Sequence, residues 1–272
     1  MEDLRVAAVG MRSLVGEKAE NLARMESFVR QAAAQGIKVI CFPELNISGY
    51  SLRPNMASFA ETIPGPSTEA VLKMAKENDL LILAGLAERK SPNEVFISHF
   101  VASPRGLLGV YRKLHLGPPE EGIYQPGSSL PVFQDGGATF GIELCFDAHF
   151  PELSTLLALK GAEVIFMPHA SPRESSQEKR ERWLRYLAAR AYDNSVFAVA
   201  CNQVGESESG LIFSGATLIL NPRGEVMAAN SGEGEGMIFA DLKAAALREV
   251  RENCRGFFLS RRRPELYKEL AV

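Results

Sequence analysis

Three residues with different chemistry each follow a short apolar run of the sequence. Glu44 follows VICFP, Lys113 follows LLGVYR and Cys145 follows ATFGIEL. A cysteine thiol of ordinary pKa, about 8.5, is only slightly ionised at neutral pH, so a nucleophilic cysteine needs a base or a cation beside it. Glu44 can be that base, and the Lys113 ammonium can stabilise charge on a carbonyl oxygen under attack. Together the three residues predict covalent acyl transfer.

Each of these residues also has an ordinary structural interpretation. Free cysteine is among the most buried residue types, and a glutamate after a proline can simply cap a turn. A lysine in the stretch YRKLH is by default solvated. The prediction of an active site therefore depends on the three side chains lying together.

Apolar runs of strand length recur along the chain between turn signals. They are RVAAVG, KVICFPE, LLILAGLAE, EVFISHFVAS, ATFGIELC, AEVIFMPHAS, VFAVACNQ and ATLILNPRG. Helical patterns separate several of them, at residues 17–36, 67–79, 174–194 and 241–251, with Ser67 as an expected N-cap and Gly36 as an expected helix end. Ligands gather where parallel strands end, so the strand-end residues are the ones expected to line a site.

Two stretches contain successive strands with no helix between them. Residues 94–114 and 216–242 have Pro-Arg-Gly turns instead, which makes the predicted sheets mixed. Two such sheets with helices outside predict an α/β fold, a four-layer αββα sandwich with two mixed β-sheets and helices on the outer faces. We expect residues 1–272 to form a single domain. Residues 171–179, SPRESSQEK, are expected to be an exposed loop that borders a pocket.

Composition excludes several classes of protein. The 272 residues carry 30 Lys and Arg against 33 Asp and Glu, which does not favour a nucleic-acid partner. No apolar run approaches the roughly 18 residues of a membrane span, and MEDLRVAAVGMRS lacks the order of a signal peptide, so a cytoplasmic location is expected. The four cysteines, Cys41, Cys145, Cys201 and Cys254, are far apart in the sequence. This spacing favours reduced thiols over a disulfide framework. No CxxC, HxxxH or HExxH pair occurs, and no metal site is expected.

Three motifs occur in a fixed order: FPELNISGY (42–50), YRKLHL (111–116) and GIELCFDAHFPE (141–152). With them, the chain resembles the nitrilase superfamily of carbon–nitrogen hydrolases over almost its whole length. The resemblance implies the same αββα fold, no metal or organic cofactor, and a homodimer or larger homo-oligomer.

The same resemblance implies roles for particular residues. Glu44 would be the general base, Lys113 the oxyanion stabiliser and Cys145 the nucleophile. The family's second glutamate falls on Glu120, with Glu121 as its neighbour and rival, and would hold Lys113. The backbone N–H of Phe146 would lie in the oxyanion hole.

The residues after the cysteine bear on the substrate. Nitrile-cleaving members commonly have Trp-Glu where this chain has Phe146 and Asp147, so an amide or N-carbamoyl substrate is favoured. Asp147 is expected to bond its own loop. His149 replaces an arginine common in the family and is an alternative base. Candidates for substrate contact are Tyr50, His149, His169 and Arg173, with Lys179 as a further candidate for a substrate carboxylate.

The sequence thus predicts a cysteine-dependent hydrolase of a small amide or N-carbamoyl compound that forms a thioester and releases ammonia or an amine. A nitrilase and an acyl transferase to amines are alternatives within the fold. A non-catalytic scaffold is the alternative from a different class, although no catalytic position is missing.

Overall fold

The computed structural model describes residues 1–53, 56–92, 94–207, 210–230, 232–253 and 255–271, so Cys254 lies outside the described residues. The strands are β1 Leu4–Gly10, β2 Val39–Cys41, β3 Leu81–Ser91, β4 Glu94–Ser103, β5 Gly106–Arg112, β6 Phe133–Asp135, β7 Ala138–Ile142, β8 Val164–His169, β9 Phe197–Asn202, β10 Val204–Glu206, β11 Ile212–Ser214, β12 Thr217–Leu220, β13 Val226–Asn230 and β14 Gly236–Leu242. The helices are α1 Lys18–Ala34, α2 Met56–Phe59, α3 Pro66–Asn78, α4 Pro151–Leu159, α5 Ser176–Asn194 and α6 Ala244–Glu252. Short 3₁₀ turns include Pro118–Glu120 and Cys145–His149.

Two six-stranded mixed sheets form the centre of the molecule. The first has the strand order β14-β1-β2-β3-β4-β5 and the second the order β13-β12-β9-β8-β7-β6. In each sheet the three consecutive strands β1-β2-β3 or β7-β8-β9 are parallel, and the remaining neighbours are antiparallel. The prediction of two mixed sheets is confirmed.

The layers arise because successive residues of a strand lie on opposite faces of its sheet. In β1, Val6 and Ala8 belong to a core between the two sheets, whereas Ala7 and Val9 belong to a second core. Successive strand residues point to opposite faces, so each sheet has an inner and an outer apolar face. Residues of α1 and α3 pack on the first sheet's outer face, and residues of α4 and α5 pack on the second's. The αββα sandwich is therefore confirmed.

The expected helix ends were partly right. Gly36 follows α1 with a φ of 67° and donates its N–H to Ala33 O at 3.0 Å, as a glycine at a helix end does. The expectation that Ser67 caps α3 is wrong, because the helix begins at Pro66 after an extended Gly65. Proline suits a first helical position, since its missing N–H would be unpaired there anyway. Ser67 is already in the helix, where its N–H donates to Glu61 at 2.9 Å.

Residues 171–179 are a loop only in their first part. The helix α5 begins at Ser176, and Ser175 caps it by accepting from the N–H of Glu178 at 3.3 Å. The Glu178 carboxylate accepts the Ser175 N–H in return, at 2.9 Å. This Ser-x-x-Glu pattern is a helix start. It agrees with the helical pattern predicted for residues 174–194 and contradicts the loop predicted for the end of residues 171–179. As a result Lys179 is helical and buried rather than exposed.

None of the helices in the described ranges is long and apolar enough to cross a membrane.

Candidate active site

Glu44 lies just beyond β2 and is completely buried. Its Oε1 accepts from Lys113 Nζ at 2.8 Å and its Oε2 accepts from the Ala170 N–H at 2.9 Å. The Gln203 side chain donates to its backbone carbonyl at 2.7 Å. Burial raises the pKa of Glu44 to about 7, although the Lys113 charge opposes the shift. A carboxylate with this pKa can take and return a proton near neutrality.

Lys113, at the end of β5, lies between two carboxylates. Besides Glu44, its Nζ donates to Glu120 Oε1 at 2.8 Å. Burial alone would lower the pKa of Lys113, but Glu44 and Glu120 outweigh it and raise the pKa, so the ammonium stays charged. Glu120 also accepts from Tyr50 Oη at 3.1 Å and from the Gly117 N–H at 2.8 Å. Glu120, and not the exposed Glu121, therefore faces Lys113.

Cys145 begins the 3₁₀ turn that follows β7. Its φ of 46° lies in the left-handed region, which is costly for a residue with a side chain and frequent at functional sites. The side chain is half-buried. Burial and then the Glu44 charge raise the pKa of its thiol to about 12, while Lys113 and the Ala170 N–H oppose this. The Ala170 backbone amide thus acts on both Glu44 and Cys145.

A single carboxylate ties the Lys113 segment to the Cys145 turn. Asp147 Oδ2 accepts from Tyr111 Oη at 2.7 Å and from the Leu144 N–H at 3.1 Å. Its Oδ1 accepts from the His115 N–H at 2.8 Å and lies 3.0 Å from His115 Nδ1. The expected bond within its own loop is present, and the longer-range bonds to Tyr111 and His115 are additional.

The other substrate-contact candidates lie in different surroundings. Tyr50 contacts Glu120, as described above. His149 is exposed, with its ring 4.6 Å from that of Tyr186. His169 is buried against Trp183 at 4.3 Å and its Nδ1 is 2.7 Å from Met167 O. Arg173 is exposed and its N–H pairs with the Ile212 carbonyl.

A cavity of about 490 Å³ lies beside the residues that follow Lys113 and Cys145. It is lined by Leu114, His115, Leu116, Glu121, Gly122, Tyr124, Gln125, Pro126, Phe146 and Phe150. The mixture of aromatic and polar groups suits a small organic molecule. Within the described ranges, no three His, Cys, Asp or Glu side chains gather as metal ligands.

Ala170, Ser171 and Arg182 escaped sequence reasoning, whereas Lys179 was already a candidate for binding a substrate carboxylate. The contribution of Ala170 is a backbone amide, which leaves no signal in residue type. A second group of polar side chains surrounds Ser171, the next residue: Lys179 Nζ donates to its Oγ at 3.0 Å and Arg182 does so at 3.3 Å. The helical spacing of Lys179 and Arg182, three residues apart, could have indicated that they share a face.

The chain matches the family model for carbon–nitrogen hydrolases over residues 5–252. It is 34% identical over 274 residues to a nitrilase of Pyrococcus abyssi, covering 97% of this chain and 99% of the relative. It is 28% identical over 277 residues to human omega-amidase NIT2, covering 98% of each.

Solved structures show the same fold. An amidase from Nesterenkonia sp. superposes with a TM-score of 0.84 at 23% identity, covering 98% of this chain and 96% of that one. A variant of the Nesterenkonia amidase, with a TM-score of 0.83, 23% identity and coverage of 98% and 96%, carries the acetamide moiety of fluoroacetamide added covalently at its active-site cysteine. With the family match over residues 5–252, these similarities identify the chain as an enzyme of the carbon–nitrogen hydrolase family, within the nitrilase superfamily.

Proposed function

We propose that the protein is an amide hydrolase in which Cys145 forms a thioester with the acyl part of the substrate. The observation that carries this proposal is the shared environment of Glu44, Lys113 and Cys145, in which the Ala170 N–H acts on both the carboxylate and the thiol. The relatives named amidases support it, as does the covalent adduct on the cysteine of the Nesterenkonia amidase.

In the acylation half, Cys145 Sγ attacks the amide carbonyl carbon while its proton passes to Glu44. The charge that develops on the carbonyl oxygen is stabilised by the Lys113 ammonium and, we propose, by the Phe146 N–H. The C–N bond then breaks, Glu44 returns the proton to the departing nitrogen, and ammonia or an amine leaves. The enzyme is left as a thioester, and Glu44 is again a carboxylate.

In the deacylation half, water attacks the thioester carbonyl and gives a proton to Glu44. The C–S bond breaks, the Cys145 sulfur recovers that proton, and the carboxylic acid is released. Glu44 therefore serves twice as base and twice as acid, which a pKa of about 7 allows near neutral pH. Glu120 positions Lys113 throughout, because it accepts a second hydrogen bond from Nζ beside the one to Glu44.

The test is ammonia release from a panel of small amides, N-carbamoyl amino acids and nitriles by the wild type, Cys145→Ala and Glu44→Gln. We expect turnover of at least one amide or carbamoyl compound, and a loss of about 10³-fold or more in each variant, because each removes a group on which acylation depends. Mass spectrometry of the Cys145 peptide during turnover should detect the acyl adduct. Full turnover by purified Cys145→Ala would refute the proposal.

A nitrile hydrolase is the second candidate, since the Pyrococcus abyssi relative named a nitrilase is 34% identical over almost the whole chain. The same thiol would add to the nitrile carbon to give a thioimidate. One water would then displace ammonia to give the thioester, and a second water would release the carboxylic acid and the thiol. Butyramide and butyronitrile differ only in the reacting group, so their kcat/KM values decide between the candidates. We expect the amide to be the better substrate.

A homodimer, a cytoplasmic location and a single domain stay predictions. Leu156 and Leu159 on α4 and Tyr192 on α5 are large apolar side chains that are 46%, 51% and 49% exposed. Such groups on neighbouring helices are typical of a subunit contact. Light scattering after size exclusion will give the subunit number.

A further inference from the structure

Two cations lie next to the proposed catalytic groups without taking part in the mechanism above. Ser171 directly follows Ala170, whose N–H binds Glu44. The Ser171 hydroxyl in turn accepts from Lys179 Nζ at 3.0 Å and from Arg182 at 3.3 Å. Both cations therefore bind the residue that directly follows Ala170, whose backbone amide acts on Glu44 and Cys145.

The charges of this group are only partly balanced. Glu174 Oε2 is 3.4 Å from Lys179 Nζ and accepts from Arg182 Nε at 3.0 Å, so one carboxylate serves two cations. The Lys179 side chain is 0% exposed, and burial lowers its pKa. A buried ammonium is costly unless anions compensate for its lost hydration. Lys179 and Arg182 are therefore suited to bind a further carboxylate, either beside that of Glu174 or in its place.

Glu174 is positioned so that a ligand can displace its side chain from Lys179 and Arg182. Its side chain is 36% exposed and it lies in the loop between β8 and α5. The φ of Glu174 is 64° and that of Arg173 is 66°, so two consecutive residues occupy the left-handed region. This conformation costs free energy at each residue, and the contacts of the Glu174 carboxylate help to hold it. Replacing those contacts by a ligand's would release the loop.

We propose that Lys179 and Arg182 bind a carboxylate group of the substrate, and that Glu174 occupies this subsite when substrate is absent. The inference rests on the proposed amide hydrolysis at Cys145 and specifies its substrate class as amides that carry a carboxylate. That carboxylate is on the acyl part in the monoamide of a dicarboxylic acid, and on the leaving part in an N-carbamoyl amino acid.

The experiment compares each acid with its neutral methyl ester: succinamate with methyl succinamate, and N-carbamoylglycine with its methyl ester. For each pair we divide kcat/KM for ammonia release from the acid by kcat/KM for ammonia release from its ester. This ratio is measured for the wild type, Lys179→Met, Arg182→Met and Glu174→Gln. Arg185→Met is the matched control, because Arg185 lies on the same helix but is exposed. Thermal unfolding establishes that each variant is folded.

We expect the wild-type ratio to exceed about tenfold for one pair, which identifies the side that carries the carboxylate. Lys179→Met and Arg182→Met should each lower that ratio about tenfold, and Arg185→Met should not change it. Glu174→Gln should raise it, because the internal competitor is gone, and a merely structural role of Glu174 would not do so. If Lys179→Met does not fold, Arg182→Met and Glu174→Gln decide.

A wild-type ratio near one in both pairs would overturn the inference while leaving the amide hydrolase intact. So would equal losses for acid and ester in the Arg182→Met variant. Absence of Cys145-dependent ammonia release from every compound would instead refute the proposed function, and the carboxylate subsite with it.

Discussion

Glu44 and Cys145 show how one environment acts on the proposed base and the proposed nucleophile. Loss of water raises the pKa of both, to about 7 for the carboxyl and about 12 for the thiol. Near neutral pH the proton therefore stays on sulfur, so in the proposed mechanism Cys145 attacks as Glu44 takes that proton. This differs from thiol enzymes in which a lowered pKa supplies the thiolate before substrate arrives.

The pH dependence of turnover follows from this arrangement. Acylation needs Glu44 as the carboxylate, and its pKa is about 7, so kcat/KM should rise as pH increases through about 7. Initial rates between pH 5 and 9 in buffers of constant ionic strength will measure it, with activity after return to pH 7 as the control for inactivation. A profile that falls as pH rises through 7 would contradict Glu44 as the base.

Glu120 is predicted to act as a positioning residue. Glu120→Gln should lower kcat about 10–100-fold, because Lys113 loses one of the two carboxylates that hold it. The negative charge of Glu120 also raises the pKa of Glu44, so the acidic limb of the pH profile should move to lower pH in this variant. Glu77→Gln is the control, since Glu77 is exposed on α3 and does not line the cavity. A reduced kcat with an unshifted limb would assign Glu120 a purely structural role.

The elements that carry Lys113 and Cys145 are joined through Asp147. The strand β5 supplies Tyr111 and the residues beyond it supply His115, and all their bonds to Asp147 end on the turn that contains Cys145. A carboxylate can accept all of these bonds because both of its oxygens are acceptors. One side chain thus links the segment that contains Lys113 to the turn that contains Cys145.

Asp147→Asn tests this link. The amide nitrogen can donate but not accept, so the donors that face it lose their acceptor, at a cost of about 1–3 kcal/mol each. We expect kcat to fall at least about tenfold and the unfolding temperature to drop, with a smaller effect of Tyr111→Phe, which removes a single bond. Asp193→Asn, at an exposed position, is the control. Unchanged kcat in a destabilised Asp147→Asn protein would show that the link matters for folding alone.

At the scale of the whole molecule, the candidate site joins the two sheets. The first sheet supplies Glu44 after β2 and Lys113 after β5, and the second supplies Cys145 after β7 and Ala170 after β8. Cys41 of β2 and Cys201 of β9 meet between the sheets, with their sulfur atoms 3.9 Å apart. The packing of one sheet on the other therefore sets the distances within the site.

A buried carboxyl two residues before Cys145 should make stability depend on pH. Glu143 accepts from Ser154 Oγ at 2.6 Å, its other oxygen has no partner among the described residues, and burial raises its pKa from 4.5 to about 8. A raised folded-state pKa contributes stability below pH 4.5 that is lost as pH rises through about 8. Glu143→Gln should therefore be more stable than the wild type by about 5 kcal/mol at pH 8.5, whereas the two proteins should be equally stable at pH 4. Urea unfolding at both pH values measures this; an equal difference at both would contradict it.

Local sequence patterns explain which strands and helix ends could be predicted from the sequence. The apolar run of β1 and the glycine after α1 are properties of neighbouring residues, and they predicted a strand and a helix end correctly. Ser67 and residues 171–179 were misassigned where two local signals competed, proline against serine at α3 and a capping box against a polar loop at α5. At α3 the proline removes an N–H that would be unpaired, and at α5 the side chains of the capping box pair with free N–H groups.

The sequence by itself determined the family, the order of elements and the residue types available for chemistry, because motifs and periodicity are written in adjacent positions. Only the tertiary structure decided that Glu120 rather than Glu121 faces Lys113, that Ala170 serves Glu44 and that Lys179 and Arg182 gather on Ser171. Glu44 is 69 residues from Lys113 and 126 from Ala170 along the chain. Burial and charge at such a site come from residues that meet only when the sheets pack, so no pKa in it could be inferred from spacing.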